Sequence, residues 1–243
     1  MPKSVLRQQL NLSEAVEDYL KTIYQLRENE RREGDEPARV TTNELAAALD
    51  VAPGSVTGMM KKLADAGLVI HRPYYGVELT EIGERLALEL LRHHRLLELY
   101  LTDVVGFGWD EVHEQADALE HAISEELEDR IDRMLGCPRV DPHGDPIPTK
   151  EGVLSAPAAV VLSTVAPDPT RELTLLRVMT QAPDLLRYLG TLGLVPGTRL
   201  FFECRDPFDG PLHLRVLSEP TLLCQISPMV AGVLWMDVPD GAS

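Results

Sequence analysis

Residues 113–121, HEQADALEH, limit this chain more sharply than any other stretch. Read as helix, His113, Asp117, Glu120 and His121 stand at i, i+4, i+7 and i+8 and share one stripe roughly 100° wide. An amphipathic helix normally fills such a stripe with apolar side chains. Here every position carries a group that can bind a divalent cation. Upstream, His94 and Glu98 repeat the i, i+4 spacing, and four of the seven histidines lie between positions 93 and 121. A His–Glu pair standing alone on an acidic helix is usually a solvated surface pair. Beside the stripe, His94 and Glu98 read as ligands. His71, His93, His143 and His213 are read as non-ligands, and the cysteines as structural.

The net charge of −16 at first argues against a nucleic-acid partner, but its distribution matters more than its total. Residues 1–75 hold 10 Lys+Arg against 11 Asp+Glu, residues 76–150 hold 7 against 18, and residues 151–243 hold 6 against 10. The acidity sits with the ligand stripe, and the first third can still present a basic face. Nothing resembles a signal peptide, and no apolar run approaches the roughly 18 residues of a membrane span. Cys137, Cys204 and Cys224 are scattered and odd in number. Together these features predict a cytoplasmic protein without a membrane partner.

Taken in order, Ser13 caps a helix through position 30, with Leu20, Ile23 and Tyr24 on its apolar side and Glu14, Asp18 and Lys21 on another. The charged stretch 29–39 reads as a solvated loop. Thr41 and Glu44 form a capping box opening a short helix over 42–49. Pro53 starts the next helix, which ends at Gly67. Its Val56, Met60, Leu63 and Ala64 face inward, while Ser55, Thr57, Gly58, Lys61 and Lys62 face away. Two strands around Pro73–Gly76 follow. The order helix, turn, helix, hairpin predicts a winged helix-turn-helix. Its DNA contacts are expected from Thr42, Pro53, Ser55, Thr57, Lys61, Lys62, Arg72 and Tyr74. A long helix over 80–103, the stripe helix over 110–122 and a helix over 125–135 come next. Residues 137–152, with Pro138, Pro142, Pro146 and Pro148, read as a linker. Beyond it, five strand-like segments between 172 and 238 and one helix over 183–192 suggest a small barrel.

At this point the chain resembles the metal-dependent repressors that include the diphtheria toxin repressor, the iron-dependent regulators and the manganese transport regulators. The carrying segments are EDYLKTIYQL at 17–26, VAPGSVTGMMKKLADAGLV at 51–69, LTEIGERLA at 79–87, HHRLLELYL at 93–101, HEQADALEH at 113–121 and HGDPIP at 143–148. The resemblance implies a mainly α chain with a C-terminal β part. A winged helix-turn-helix domain would occupy 1–79, a helical metal-binding and dimerisation domain 80–150, and an SH3-like, FeoA-like barrel 151–243. It also implies two metal positions, a primary one of Asp18, Asp117, Glu120 and His121 and an ancillary one of His94, Glu98 and His113. Iron-sensing members place sulfur ligands where this chain has Asp18 and Asp117, and an oxygen-rich set suits Mn²⁺. Three departures stand out. Lys21 replaces a carboxylate of the manganese regulators and is expected to pair with Asp18 or Glu14. Ala182 and Leu185 align with barrel ligands. Gly54 and Gly58 replace side chains on the reading helix.

The resulting expectation is a homodimeric, Mn²⁺-dependent repressor of metal-uptake genes that binds a palindromic operator in double-stranded DNA and is not an enzyme. An Fe²⁺-dependent regulator is the nearest alternative. A helical metalloenzyme and a metal-independent regulator with charges paired at the dimer seam are the others.

Overall fold

The structure, a computed structural model, describes residues 12–33, 39–72, 75–217 and 221–237. It divides into two compact units. The first comprises Met1–His94, Glu120–Asp129 and Pro148–Leu154, and the second Arg95–Leu119, Arg130–Ile147 and Ser155–Ser243.

In the first unit, α1 (Glu14–Glu33) buries Val16, Leu20, Ile23 and Tyr24. These pack with Leu45 of α2 (Thr42–Ala48) and with Val56, Met60 and Leu63 of α3 (Pro53–Asp65). The capping box forms: the Thr41 backbone N–H donates to Glu44 Oε2 (2.6 Å), and the Glu44 N–H to Thr41 Oγ1 (3.3 Å). Asp50 takes the left-handed conformation (φ 50°) that lets α2 turn tightly into α3. The strands β1 (Val69–Arg72) and β2 (Gly76–Leu79) pair antiparallel with Val69 opposite Leu79, completing the winged helix-turn-helix.

The long helix α4 (Glu81–Tyr100) starts hard against this module. Thr80 Oγ1 donates to the Leu68 carbonyl oxygen (3.1 Å). A Cβ added at Gly83 would lie 2.0 Å from that same oxygen. Only glycine lets the first turn of α4 approach the backbone so closely. Arg92 and His93 on α4 enclose Glu128 of α6 (Glu125–Met134), with Arg92 Nε donating to Glu128 Oε1 at 2.5 Å.

In the second unit α4 continues into a π-turn (Leu101–Val105) that closes at Gly106 (φ 93°). The helix α5 (Val112–Leu119) follows. A six-stranded sheet then has the order β3-β8-β4-β5-β6-β7, all neighbours antiparallel. Its strands are β3 (Val160–Val161), β4 (Asp168–Val178), β5 (Arg199–Arg205), β6 (Leu212–Val216), β7 (Leu222–Ile226) and β8 (Leu234–Asp237), with α7 (Pro183–Thr191) and α8 (Pro228–Ala231) packed in. Period-two burial, as in Leu212, Leu214 and Val216 of β6, turns one face inward. The sheet thus has one strand more than the five expected. Two-residue β3 carries too little pattern to read, and β4 starts four residues earlier than its alternation suggests.

Residues 137–152 are not a bare linker. Asp141 Oδ1 accepts from the backbone N–H groups of His143 (2.8 Å) and Asp145 (2.9 Å), and Val140 bridges Pro146. Asp141 and His143 are buried. The prolines mark turns, and those turns fold the segment into a packed strap. Among the described residues no helix is long and apolar enough to cross a membrane.

Candidate metal centre

The first centre lies wholly in the first unit. Apolar packing fixes the roll of α1, which places Glu17 and Lys21, four residues apart, in the protein interior. Contrary to the stripe reading, α5 ends at Leu119, so Glu120 and His121 stand in the turn beyond it. The turn lets the Glu120 side chain go fully inside while its carbonyl faces His93 Nδ1 (3.3 Å).

His121 Nδ1–H donates to Glu17 Oε2 at 2.7 Å. That leaves Nε2 facing Asp18 Oδ1 at 3.0 Å and Glu120 Oε1 at 3.7 Å. One ligand atom each from Asp18, Glu120 and His121 falls within 4.8 Å of the others. Glu120 is doubly engaged: Lys21 Nζ donates to Oε1 (2.5 Å) and His94 Nδ1–H to Oε2 (2.6 Å). Lys21 therefore pairs with Glu120, rather than being confined to Asp18 or Glu14 as expected. Burial pushes the Asp18 carboxyl above its ordinary value; His121 and Lys21 oppose the rise and Glu120 adds to it. Carboxylates crowded where water is scarce favour a cation. An imidazole whose far nitrogen is held by a carboxylate is set up to ligate. This donor set fits a divalent metal.

The second cluster lies wholly in the second unit. Glu98 is buried, and its Oε1 accepts from His113 Nδ1–H (3.0 Å). The other ring nitrogen of His113 is 3.6 Å from Asp117 Oδ2. His94 donates to Glu120, and Asp117 stands beside His113, where the resemblance had set it with Asp18, Glu120 and His121. On the far side of Glu98 lies His143, with Nδ1 3.7 Å from Oε2. Burial lowers the pKa of His143, but Glu98, Asp141 and the Trp109 carbonyl outweigh it and raise it to about 9. Burial beside Asp145 and Glu98 pushes Asp141 well up, against the pull of Arg95 and His143.

On the winged helix, Pro53, Ser55, Thr57, Lys61, Lys62 and Arg72 are exposed and Thr42 is half-buried. Among the described residues nothing lies within 4 Å of a Cβ added at Gly54 or Gly58, so this face of α3 is open. Tyr74 lies outside the described residues. Ala182 and Leu185 flank the start of α7, and neither can ligate through its side chain. Reading the sequence missed Glu17 and His143. Their signals are faint: Glu17 adjoins Asp18, and His143 stands in a proline-rich stretch.

Comparison with known proteins accounts for each part of this architecture. Residues 11–77 match the iron dependent repressor N-terminal DNA binding domain, 80–149 the iron dependent repressor metal binding and dimerisation domain, and 166–225 the FeoA domain. The iron-dependent repressor IdeR of Mycobacterium tuberculosis (strain H37Rv) is 35% identical over 202 residues, 79% of this chain and 85% of the relative. The diphtheria toxin repressor of Corynebacterium diphtheriae is 34% identical over 152 residues, 62% of this chain and 64% of the relative. A manganese-dependent transcriptional repressor solved in complex with manganese aligns with a TM-score of 0.81 at 35% identity, over 92% of this chain and 99% of its own. ScaR with bound Zn²⁺ aligns with a TM-score of 0.72 at 32% identity, over 92% and 99%. This chain belongs to the iron-dependent repressor family of divalent-metal-dependent, DNA-binding transcriptional regulators, which are repressors and not enzymes.

Proposed function

We propose that this chain is a Mn²⁺-responsive, homodimeric repressor of metal-uptake genes. The observation that carries the reading is the convergence of Asp18, Glu120 and the Glu17-held His121 on one point. The set offers two carboxylates and one imidazole with no thiolate, and such oxygen-rich sites suit Mn²⁺. Cys137 and Cys204 are exposed, and Cys224 belongs to the barrel core. Asp117 and His94 remain candidate ligands, and Glu98 and His113 are candidates for a second position.

A bound divalent ion would supply positive charge and bonds that draw these ligands together. The rest is done by the chain. Asp18 lies on α1, whose Leu20 and Ile23 pack with Leu45 and Leu63 beneath the reading helix. Fixing α1 against residues 120–121 therefore fixes the platform of α3. In a symmetric dimer two such helices reach half-sites about one helical turn, ~34 Å, apart on a palindromic operator in double-stranded DNA. Ser55, Thr57, Thr42, Pro53 and the wing residues Arg72 and Tyr74 are the proposed readers, with Lys61 and Lys62 on phosphates. Metal raises affinity because it prefers the DNA-competent arrangement.

The test is fluorescence anisotropy on DNA selected from a random pool with Mn²⁺, titrated with Mn²⁺ and, anaerobically, with Fe²⁺. Half-maximal binding at lower free Mn²⁺ than Fe²⁺ is expected. The reverse order would favour the second reading, an Fe²⁺ sensor, which the iron-dependent relatives support. Asp18→Ala is expected to abolish the metal dependence; retention would remove Asp18 from the ligand set.

A further inference from the structure

The strap at 137–147 places one histidine where it touches both a metal-ligand candidate and the barrel. His143 is fully buried. Its Nε2–H donates to the Trp109 carbonyl (2.8 Å), and its ring stacks on the Trp109 indole with centroids 5.8 Å apart. These contacts aim Nδ1 at Glu98 Oε2, an ion-pair contact at 3.7 Å. The other oxygen of Glu98 faces His113. The backbone is pinned as firmly: the Val178 N–H of β4 donates to the His143 carbonyl (2.9 Å). A Cβ added at the next residue, Gly144 (φ 84°), would lie 2.0 Å from the Leu176 carbonyl oxygen. All these residues belong to the second unit.

We propose that His143 is a positioning residue for the second metal position, acting through Glu98. It holds one carboxylate oxygen so that the other stays presented toward His113, and strand β4 of the barrel holds His143 in place. The inference rests on the proposed function, because it assumes that an ion binds at His113 and Glu98. Outer partners of this kind typically change metal affinity by ~10–100-fold when removed. The barrel then has a role in metal sensing without donating a ligand.

The experiment is Mn²⁺ binding to the full chain, followed by calorimetry and by electron paramagnetic resonance of free Mn²⁺, for the wild type, H143Q, E98Q and the double variant. The wild type is expected to bind two ions. H143Q should keep the first affinity and weaken the second by ~10–100-fold. The double variant should be no weaker than E98Q alone, because both act through one carboxylate. A second affinity within twofold of wild type in H143Q, or full additivity in the double variant, overturns the inference. If E98Q itself changes neither affinity, the second position is wrong and the inference falls with it, while the first centre stands. Should H143Q not fold, W109F removes the indole face but keeps the carbonyl. It should weaken the second ion a few-fold, and no change would count against His143.

Discussion

Lys21 is the residue with the most leverage on the first centre. Its ammonium and the Glu120 carboxylate are both buried. Removing one partner of such a pair leaves an uncompensated charge, at ~3–5 kcal/mol. Lys21→Gln should melt at a lower temperature without metal, show a larger Mn²⁺-induced rise than wild type, and bind Mn²⁺ more tightly. Equal Mn²⁺-induced shifts in the two proteins would show that Lys21 does not compete. Glu128 reports on acid stability. Burial opposes its ionisation, but His93 and Arg92 outweigh that and hold its carboxyl at about 2 against an ordinary 4.5. A lowered carboxyl stabilises the fold above its unfolded value, and that contribution is lost as pH falls from 4.5 through about 2. The gap corresponds to ~3 kcal/mol. Glu128→Gln should lower the unfolding free energy from urea titration at pH 7 by that order and flatten the acid limb of stability between 4.5 and 2. Asp18, Glu120 and His121 were legible as ion-binding residue types at telling positions. Glu17 was not, because one carboxylate beside another on a charged helix looks like a solvated face until packing fixes the roll.

At the level of elements, the helix-turn-helix was readable because each device is local: the Thr41 box, Pro53 at the helix start, and Gly67 in the left-handed conformation at its end (φ 71°). Two elements were harder. The stripe helix was read too long, since burial of Glu120 is a tertiary demand that periodicity cannot show. The strap was read as a linker, since prolines declare turns but not that Asp141 will close them and Arg95 Nη1 will cap the Pro146 carbonyl (2.5 Å). The open face of α3 makes its own forecast. Lys61→Ala and Lys62→Ala should each weaken DNA binding about equally on cognate and altered operators. Each should also reduce the slope of log K against log salt by ~0.9. Anisotropy over a salt series checks this, and loss of discrimination without a change in slope would assign the lysines to bases instead.

For the whole molecule, the three regions were visible as changes of texture: a near-neutral first third, an acidic middle and an alternating tail. Bound metal is expected to stabilise it measurably. At a hundredfold excess over its dissociation constant, each ion adds ~2.7 kcal/mol. Calorimetric melting should therefore rise by several degrees with Mn²⁺ and fall back on adding EDTA, and an unchanged trace would exclude specific binding. The contact at Gly83 bears on how such an event is felt. With the first turn of α4 seated directly on the Leu68 carbonyl, the long helix and the wing share a joint without slack. A tug near His94 then has no loose link in which to dissipate before it reaches the DNA reader. Any residue larger than glycine at that joint would wedge it open.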